Sequence, residues 1–455
     1  MSQQDSGPDR PLQSLIDEAP ITSIQVRAVL LCVLVFVTEG IDLNLVPLLA
    51  PAIAKSWSLP ASAFSAIFAS GSVGLILGGV SVGYFADRFG RRWALSGAMI
   101  LMTLSTLATA FVSSVPQLLV CRILTGIGFG GVIPAATSLV SELMPTRTRA
   151  SVVAFVILGQ SFGSLLMALL MKIPFVSNVA WQTTILEVGA LCAVTTLVIL
   201  LFLPESPRYL LLREPTGDKL KEILRALRIS HMPAALPAPA RAQHRRNQLR
   251  ALFADGRAMG TSLLWITFIG VCAVVSFFTS WITLILTEAG KSQALAVSAN
   301  AAYYFGGVVG GLLLPLFCTR FNAVSVLMAV ILVGAASSAG LGFALSTSDP
   351  VNLAMAFVCG VFIPGAFYLL YPPAVRFYPT AIRSTGIGAA VAFGRIGNTL
   401  SPAAAGLMLS AGFTPAGVFQ AMAVPMLLSC LALALFRKLT GDAEAADAIP
   451  VSEPS

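Results

Sequence analysis

Twelve apolar runs, each about twenty residues long, follow one another between residues 28 and 436. Such a run leaves the backbone few choices. In hydrocarbon every N–H and C=O needs a partner within its own segment, so each run is predicted to be a membrane-crossing helix. The limits read as 28–50, 62–85, 93–112, 117–140, 150–171, 183–203, 262–286, 295–318, 323–346, 351–371, 384–410 and 416–436. Composition agrees: 56% of the 455 residues are hydrophobic and 11% charged, against about 25% charged in a soluble domain. The expected fold class is an all-α membrane protein.

Charge placement orients these helices. Of the 28 Lys and Arg residues, Lys55, Lys172 and Lys291 lie in loops on the side opposite the termini, and Arg122 and Arg395 lie inside spans. The other 23 lie at the termini or in loops on their side. The positive-inside rule makes that side cytoplasmic, which places the chain in the inner membrane with both termini inside. The net charge of +8 therefore reflects topology and anionic lipid, and no nucleic-acid partner is expected. The seven cysteines sit in apolar runs at wide spacing and read as small buried hydrophobes, with no disulfide or metal site. The first 26 residues are polar, so no cleaved leader is expected.

The halves are related. Met144-Pro145-Thr146-Arg147-Thr148-Arg149-Ala150 matches Tyr378-Pro379-Thr380-Ala381-Ile382-Arg383-Ser384 at an offset of 234, with Pro, Thr and Arg aligned. Phe85-Ala86-Asp87-Arg88-Phe89 weakly matches Phe317-Cys318-Thr319-Arg320-Phe321 at an offset of 232. Two six-helix halves with a site between them are the layout of a secondary transporter. The expected organisation is a tail over 1–27, a first half over 28–203 and a central loop over 204–260. A second half over 261–437 and a tail over 438–455 follow. The loop holds eleven basic residues, a short amphipathic helix over 218–228 and a Pro/Ala linker over 232–240. Its two histidines, His231 and His244, show no metal or nucleophile pattern.

Charges inside the spans are the candidates for chemistry, because each costs about 2.5–3.5 kcal/mol to insert. Glu39 and Asp42 are three apart and share a face of the first span. Arg122 opens the fourth span, about 8 Å from its outer end, and Asp42 lies about 12 Å from the outer end of the first. A buried arginine needs a partner, and Glu39 or Asp42 is at the right depth. The pair is either a permanent ion pair or one that breaks when an acid takes a proton. Asp42 is the better proton site by depth, being nearer the outside and Arg122, while Glu39 sits closer to the midplane. Gly126, Gly128, Gly130 and Gly131 follow Arg122 inside an apolar helix, so they are read as close helix packing and not as a nucleotide loop.

Arg395 lies about eleven residues into the eleventh span, near the midplane, and spans seven to twelve carry no acid. Arg binds carboxylates bidentately. Arg395 is read as the anchor for a substrate carboxylate, with a bridge to Glu39 or Asp42 as the competing role. Phe277, Phe278, Trp281, Tyr303, Tyr304, Tyr368 and Tyr371 are aromatic candidates for the cavity, of which about a third are expected to line it. Asn398 and Gln160 are candidates for a ring hydroxyl. Glu142, at the inner end of the fourth span, is expected to bridge Arg383 or Arg376 across the halves, or Arg91 within its own.

Gly83-Tyr84-Phe85-Ala86-Asp87-Arg88-Phe89-Gly90-Arg91-Arg92 follows the second span and matches the G-x-x-x-D-R-x-G-R-R signature of the major facilitator superfamily. Leu203-Pro204-Glu205-Ser206-Pro207-Arg208 matches another recurring loop of these proteins. Within the superfamily the chain resembles the aromatic acid:proton symporter family. The resemblance covers all twelve spans and rests on Glu39-Gly40-Ile41-Asp42, Arg122, Glu142, Arg383 and Arg395. The family's commoner first acid is Asp, its third motif position is often aromatic and Leu43 stands where Thr is frequent. The resemblance implies import of a benzoate- or hydroxybenzoate-like acid with protons, by alternating access, with no cofactor and no enzymatic activity. It implies proton coupling at Glu39, Asp42 and Arg122. Substrate contact falls to Arg395, Asn398, Phe277, Trp281, Tyr304 and Tyr368, and gating to Gly83, Asp87, Arg88, Gly90, Arg91, Glu142 and Arg383. A monomer is expected. The alternatives are a transporter of the same fold for a non-aromatic carboxylate, sugar or drug, and a membrane chemoreceptor for aromatic acids.

Overall fold

The computed structural model describes residues 12–173, 179–229, 250–254, 256–379 and 382–447. The Pro/Ala linker and both histidines lie outside them, as do Thr380 and Ala381 of the internal repeat. Ten helices among the described residues are long and apolar enough to cross a membrane. The other two predicted spans, the third and the eleventh, are also helical, at Arg91–Thr109 and Arg383–Ser410. Serines, threonines and terminal arginines dilute their apolar character.

In chain order the first half of the sequence holds α1 (Leu12–Glu18), α2 (Ser23–Trp57), α3 (Phe64–Phe89), α4 (Arg91–Thr109), α5 (Val115–Leu143), α6 (Thr146–Leu170) and α7 (Trp181–Phe202). Two short helices, α8 (Pro207–Arg213) and α9 (Asp218–Ala226), follow. The second has α10 (Ala258–Glu288), α11 (Gln293–Phe317), α12 (Ala323–Ala344), α13 (Asp349–Tyr368), α14 (Tyr371–Phe377) and α15 (Arg383–Ser410). It ends with α16 (Pro415–Ala421) and α17 (Ala423–Asp447). By packing, the first unit is Met1–Val46 with Ser70–Pro239, and the second is Pro47–Ala69 with Ala240–Ser455. The sequence halves and the packing units therefore diverge over 47–69. In the second unit Phe68 meets Trp281 edge to face at 5.3 Å.

Glycines set how closely the first unit's helices approach. A Cβ at Gly126 would collide with the Gly71 carbonyl, and one at Gly74 with the Ile123 carbonyl. The glycine cluster of α5 thus packs against α3, as its apolar setting predicts. All seven cysteines are free thiols, and six are buried.

The segment before the first span departs from the expected polar tail. Leu12, Leu15 and Ile16 of α1, with Ile24, join Leu210, Leu211, Leu220, Ile223, Leu224, Leu227 and Ile229 in one apolar cluster. Seven residues are too few to show a helical period against polar neighbours, and the partners lie some two hundred positions away. The segment also caps other helices. Asp17 accepts from the Thr146 backbone N–H at 2.7 Å and its hydroxyl at 2.8 Å, serving the start of α6. Gln25 Nε2 donates to the Leu143 carbonyl at 2.7 Å, serving the end of α5. The Thr146 N–H, first among several donors, holds the Asp17 carboxyl below its ordinary value.

Candidate functional site

Glu39 and Asp42 are buried in the middle of α2, at 0% and 1% exposure. Gly40 between them explains part of the motif. A Cβ there would collide with the Gln160 carbonyl oxygen, so only glycine lets α2 and α6 touch backbone to backbone. Ser164 Oγ donates to the Gly40 carbonyl at 2.8 Å, and Asn44 Nδ2 donates to the Ser164 carbonyl at 2.9 Å. This seam brings Gln160 Nε2 to 3.3 Å from Glu39 Oε1. Glu39 Oε2 is buried with no hydrogen-bond partner.

Asp42 has different company. The Thr106 hydroxyl of α4 donates to its Oδ2 at 2.7 Å. Arg122 of α5, 7% exposed, acts on Asp42 electrostatically. No direct hydrogen bond or ion pair joins Arg122 to either acid among the described residues, where the sequence suggested a bridge, and its Nε has no partner. Gly71 makes room for the guanidinium: a Cβ there would stand 3.3 Å from an Arg122 terminal nitrogen. Hydroxyl pairs link the helices that carry these groups to their neighbours. Thr38 bonds Thr195 at 3.0 Å, Thr103 bonds Thr196 at 2.8 Å, and Thr125 donates to Ser105 at 2.9 Å. Sequence reasoning missed Thr106, because contacts between helices leave no mark in a one-dimensional pattern.

Arg395 sits in the second unit on α15, between Gly394 and Gly397. A Cβ at Gly397 would collide with the Ile269 carbonyl, so α15 lies flush against α10. Arg395 is half-buried and within electrostatic reach of Tyr371 and Cys272. Ser276 Oγ donates to the Asn398 carbonyl at 2.9 Å, which fastens the next turn. The aromatic candidates divide. Phe277 is fully buried between Phe278 and Phe419, at centroid distances of 5.3 and 5.7 Å, so it packs the core of its unit. Phe278 in turn stacks on Tyr303 at 5.5 Å. Trp281 is buried against Phe68. Tyr304 is 7% exposed, while Tyr368 and Tyr371 are partly open.

The loop signature forms one network within the first unit. Arg91 pairs with Asp87 at 3.2 Å and with Glu142 at 3.1 Å, which is the partner within its own half named from sequence. Arg383 Nε donates to the Tyr378 carbonyl at 3.3 Å. Glu142 also accepts from the hydroxyls of Ser138 and Ser206. Gly90 has φ +102°, the left-handed region that favours glycine, and a Cβ there would strike the Glu205 carboxylate. Glu205 Oε1 accepts from the backbone N–H groups of Ser206, Arg91 and Arg92 at 2.8, 2.9 and 3.1 Å. Burial pushes the Glu205 carboxyl above its ordinary value, against the pull of these donors and Arg91. The Arg88 carbonyl accepts from the Tyr209 hydroxyl at 3.2 Å. No neighbour approaches a Cβ placed at Gly83, and nothing in the structure explains that glycine.

Comparison with known proteins places this arrangement. The family model of the Major Facilitator Superfamily matches residues 31–389. The chain is 29% identical over 435 residues to the 4-hydroxybenzoate transporter PcaK of Pseudomonas putida, covering 94% of this chain and 96% of that protein. It is 32% identical over 403 residues to the 3-(3-hydroxy-phenyl)propionate transporter of Escherichia coli (strain K12), covering 89% and 92%. Among solved structures it is similar to the partially occluded inward open conformation of the xylose transporter XylE from E. coli. That likeness has a TM-score of 0.72 at 18% identity, covers 91% of this chain and 98% of that one, and concerns the fold alone. With buried charges on glycine-packed membrane helices and this match over most of its length, the chain belongs to the Major Facilitator Superfamily, as a multi-pass membrane transporter.

Proposed function

We propose that this transporter imports an aromatic carboxylic acid, of benzoate or hydroxybenzoate type, together with protons. It works by alternating access across the inner membrane, with both termini in the cytoplasm. The observation that carries the reading is the pair of fully buried carboxylates, Glu39 and Asp42, beside buried Arg122. Three ionisable groups at membrane depth are costly to keep, and proton relays are their usual use. The named relatives, which transport 4-hydroxybenzoate and 3-(3-hydroxy-phenyl)propionate, support the aromatic acid.

In this mechanism Arg395 holds the substrate carboxylate through its planar fork. Asn398, Trp281, Tyr304 and Tyr368 meet the ring and its substituents, with Phe277 packing behind them. Uptake of a proton within the acid pair changes the charge balance around Arg122 and lets the protein change state. The network of Asp87, Arg88, Arg91 and Glu142, with Gly83, Gly90 and Arg383, gates the inner side. Protons are the only coupling species required, and the transporter works as a monomer.

The test is uptake of labelled 4-hydroxybenzoate into proteoliposomes, with and without an imposed proton gradient. Accumulation above the outside concentration only with the gradient is expected. Uptake that ignores the gradient would remove the proton coupling, and absence of uptake or competition by benzoate-like acids would remove the aromatic substrate.

A further inference from the structure

The two acids of α2 are not equivalent. Asp42 is provided for: the Thr106 hydroxyl donates to it at 2.7 Å, and Arg122 supplies an opposite charge. Ser105, next to Thr106, accepts from Thr125 at 2.9 Å, three residues beyond Arg122 on α5. Thus α4 ties the Asp42 carboxylate and the arginine-bearing helix together. Cys192 of α7 lies within electrostatic reach of Asp42, and Cys121 of α5 within reach of Arg122.

Glu39 is not provided for. Among the described residues its one hydrogen bond, from the neutral amide of Gln160 on α6, is long at 3.3 Å, and its Oε2 has no donor. The charged group that acts on it is Asp42, of like sign and on the same helix. An ion with a bare oxygen in a fully buried site is among the most expensive buried groups. A neutral carboxylic acid there leaves only an unsatisfied hydroxyl, a far smaller cost.

We propose that Glu39 is the carboxyl that takes up and releases the coupled proton, while Asp42 stays the fixed anionic partner of Arg122, positioned by Thr106. This rests on the proton-coupled reading above and inverts the assignment that depth alone suggests. The step is a proton transfer only. A proton from the outer side adds to the Glu39 carboxylate, and the same proton leaves to the inner side. No bond to the substrate forms or breaks.

Infrared difference spectroscopy of the purified protein across a pH titration tests this without any substrate. A carbonyl stretch of a protonated carboxylic acid is expected at neutral pH. It should vanish in Glu39→Gln, persist in Asp42→Asn and move in Glu39→Asp. A band that persists in Glu39→Gln and vanishes in Asp42→Asn would overturn the proposal, as would the lack of any such band in the native protein. Counterflow of labelled 4-hydroxybenzoate gives the second readout. Glu39→Gln should exchange without dependence on pH and accumulate nothing uphill, whereas Asp42→Asn should lose exchange. Thr106→Val should slow exchange about tenfold, the worth of one charge-assisted hydrogen bond, and Thr106→Ser should restore it. Uphill accumulation by Glu39→Gln would contradict the assignment. If native protein moves no aromatic acid, the transport reading fails, and the spectroscopic result still decides which carboxyl holds the proton.

Discussion

Glu205 and Glu39 are the same residue type in the same unit, and their surroundings are opposite. Glu205 gathers three backbone N–H groups on one oxygen, and its neighbour Glu142 gathers Arg91 and two serine hydroxyls. Glu39 has one long contact and a bare oxygen. A carboxyl that gathers several donors behaves as a structural fastener, because a change of protonation disturbs several bonds at once. A carboxyl left short of donors can change protonation and disturb little else. Wealth of donors therefore separates the acids that fasten this unit from the acid proposed to carry the proton.

Substitution can break this contrast, most forcefully at Glu205. Glu205→Ala should destabilise the protein by about 3 kcal/mol, because it strips the first N–H groups of α4 of their acceptor. Glu205→Gln keeps the oxygen that all three donors use, so it should cost much less. Thermal unfolding in detergent separates the two, and equal losses would show that the charge matters more than the acceptor. The same residue predicts a pH dependence. Folding raises the Glu205 value, so its contribution is complete in acid and declines as pH rises through that raised value. Glu205→Gln should flatten the decline.

Next in size is Gly40→Ala. A methyl group there meets the Gln160 carbonyl, and overpacking of this kind costs about 1–3 kcal/mol. Because the same seam carries Gln160 to Glu39, uphill transport should fall further than stability does. A variant that melts like the native protein and still accumulates substrate would uncouple seam from site. Arg395→Lys retains a charge but loses the fork, and apparent affinity for 4-hydroxybenzoate should fall about tenfold. Unchanged affinity would exclude it as the carboxylate anchor. The smallest effect belongs to Asp17. Its lowered value means that its contribution is present above the ordinary carboxylate range and is lost as pH falls through the folded value. Hydrogen exchange at the first turn of α6 should quicken in acid, and Asp17→Asn should show that quickening already at neutral pH.

The sequence displayed what composition and period can encode. Apolar runs located the spans, and the lone ions Glu39, Asp42, Arg122 and Arg395 marked the candidate site. It did not display what depends on one helix meeting another. Thr106 looks like any threonine on a membrane helix until α4 is laid against α2. Gln160 was suggested for a ring hydroxyl and stands at Glu39 instead. Arg122 has the depth of Asp42 yet makes no direct bond to it. Phe277 belonged to a set of aromatics with the right address, and only the placement of Phe278 and Phe419 shows that it serves packing.

The cluster joining Leu12–Ile24 to Leu210–Ile229 also constrains topology. Its two parts lie roughly two hundred residues apart, with the long helices α2 to α7 between them. The two sets can meet only if they lie on the same side, which requires an even number of crossings between them. Closure of this cluster therefore counts the crossings between its two parts and admits only an even number.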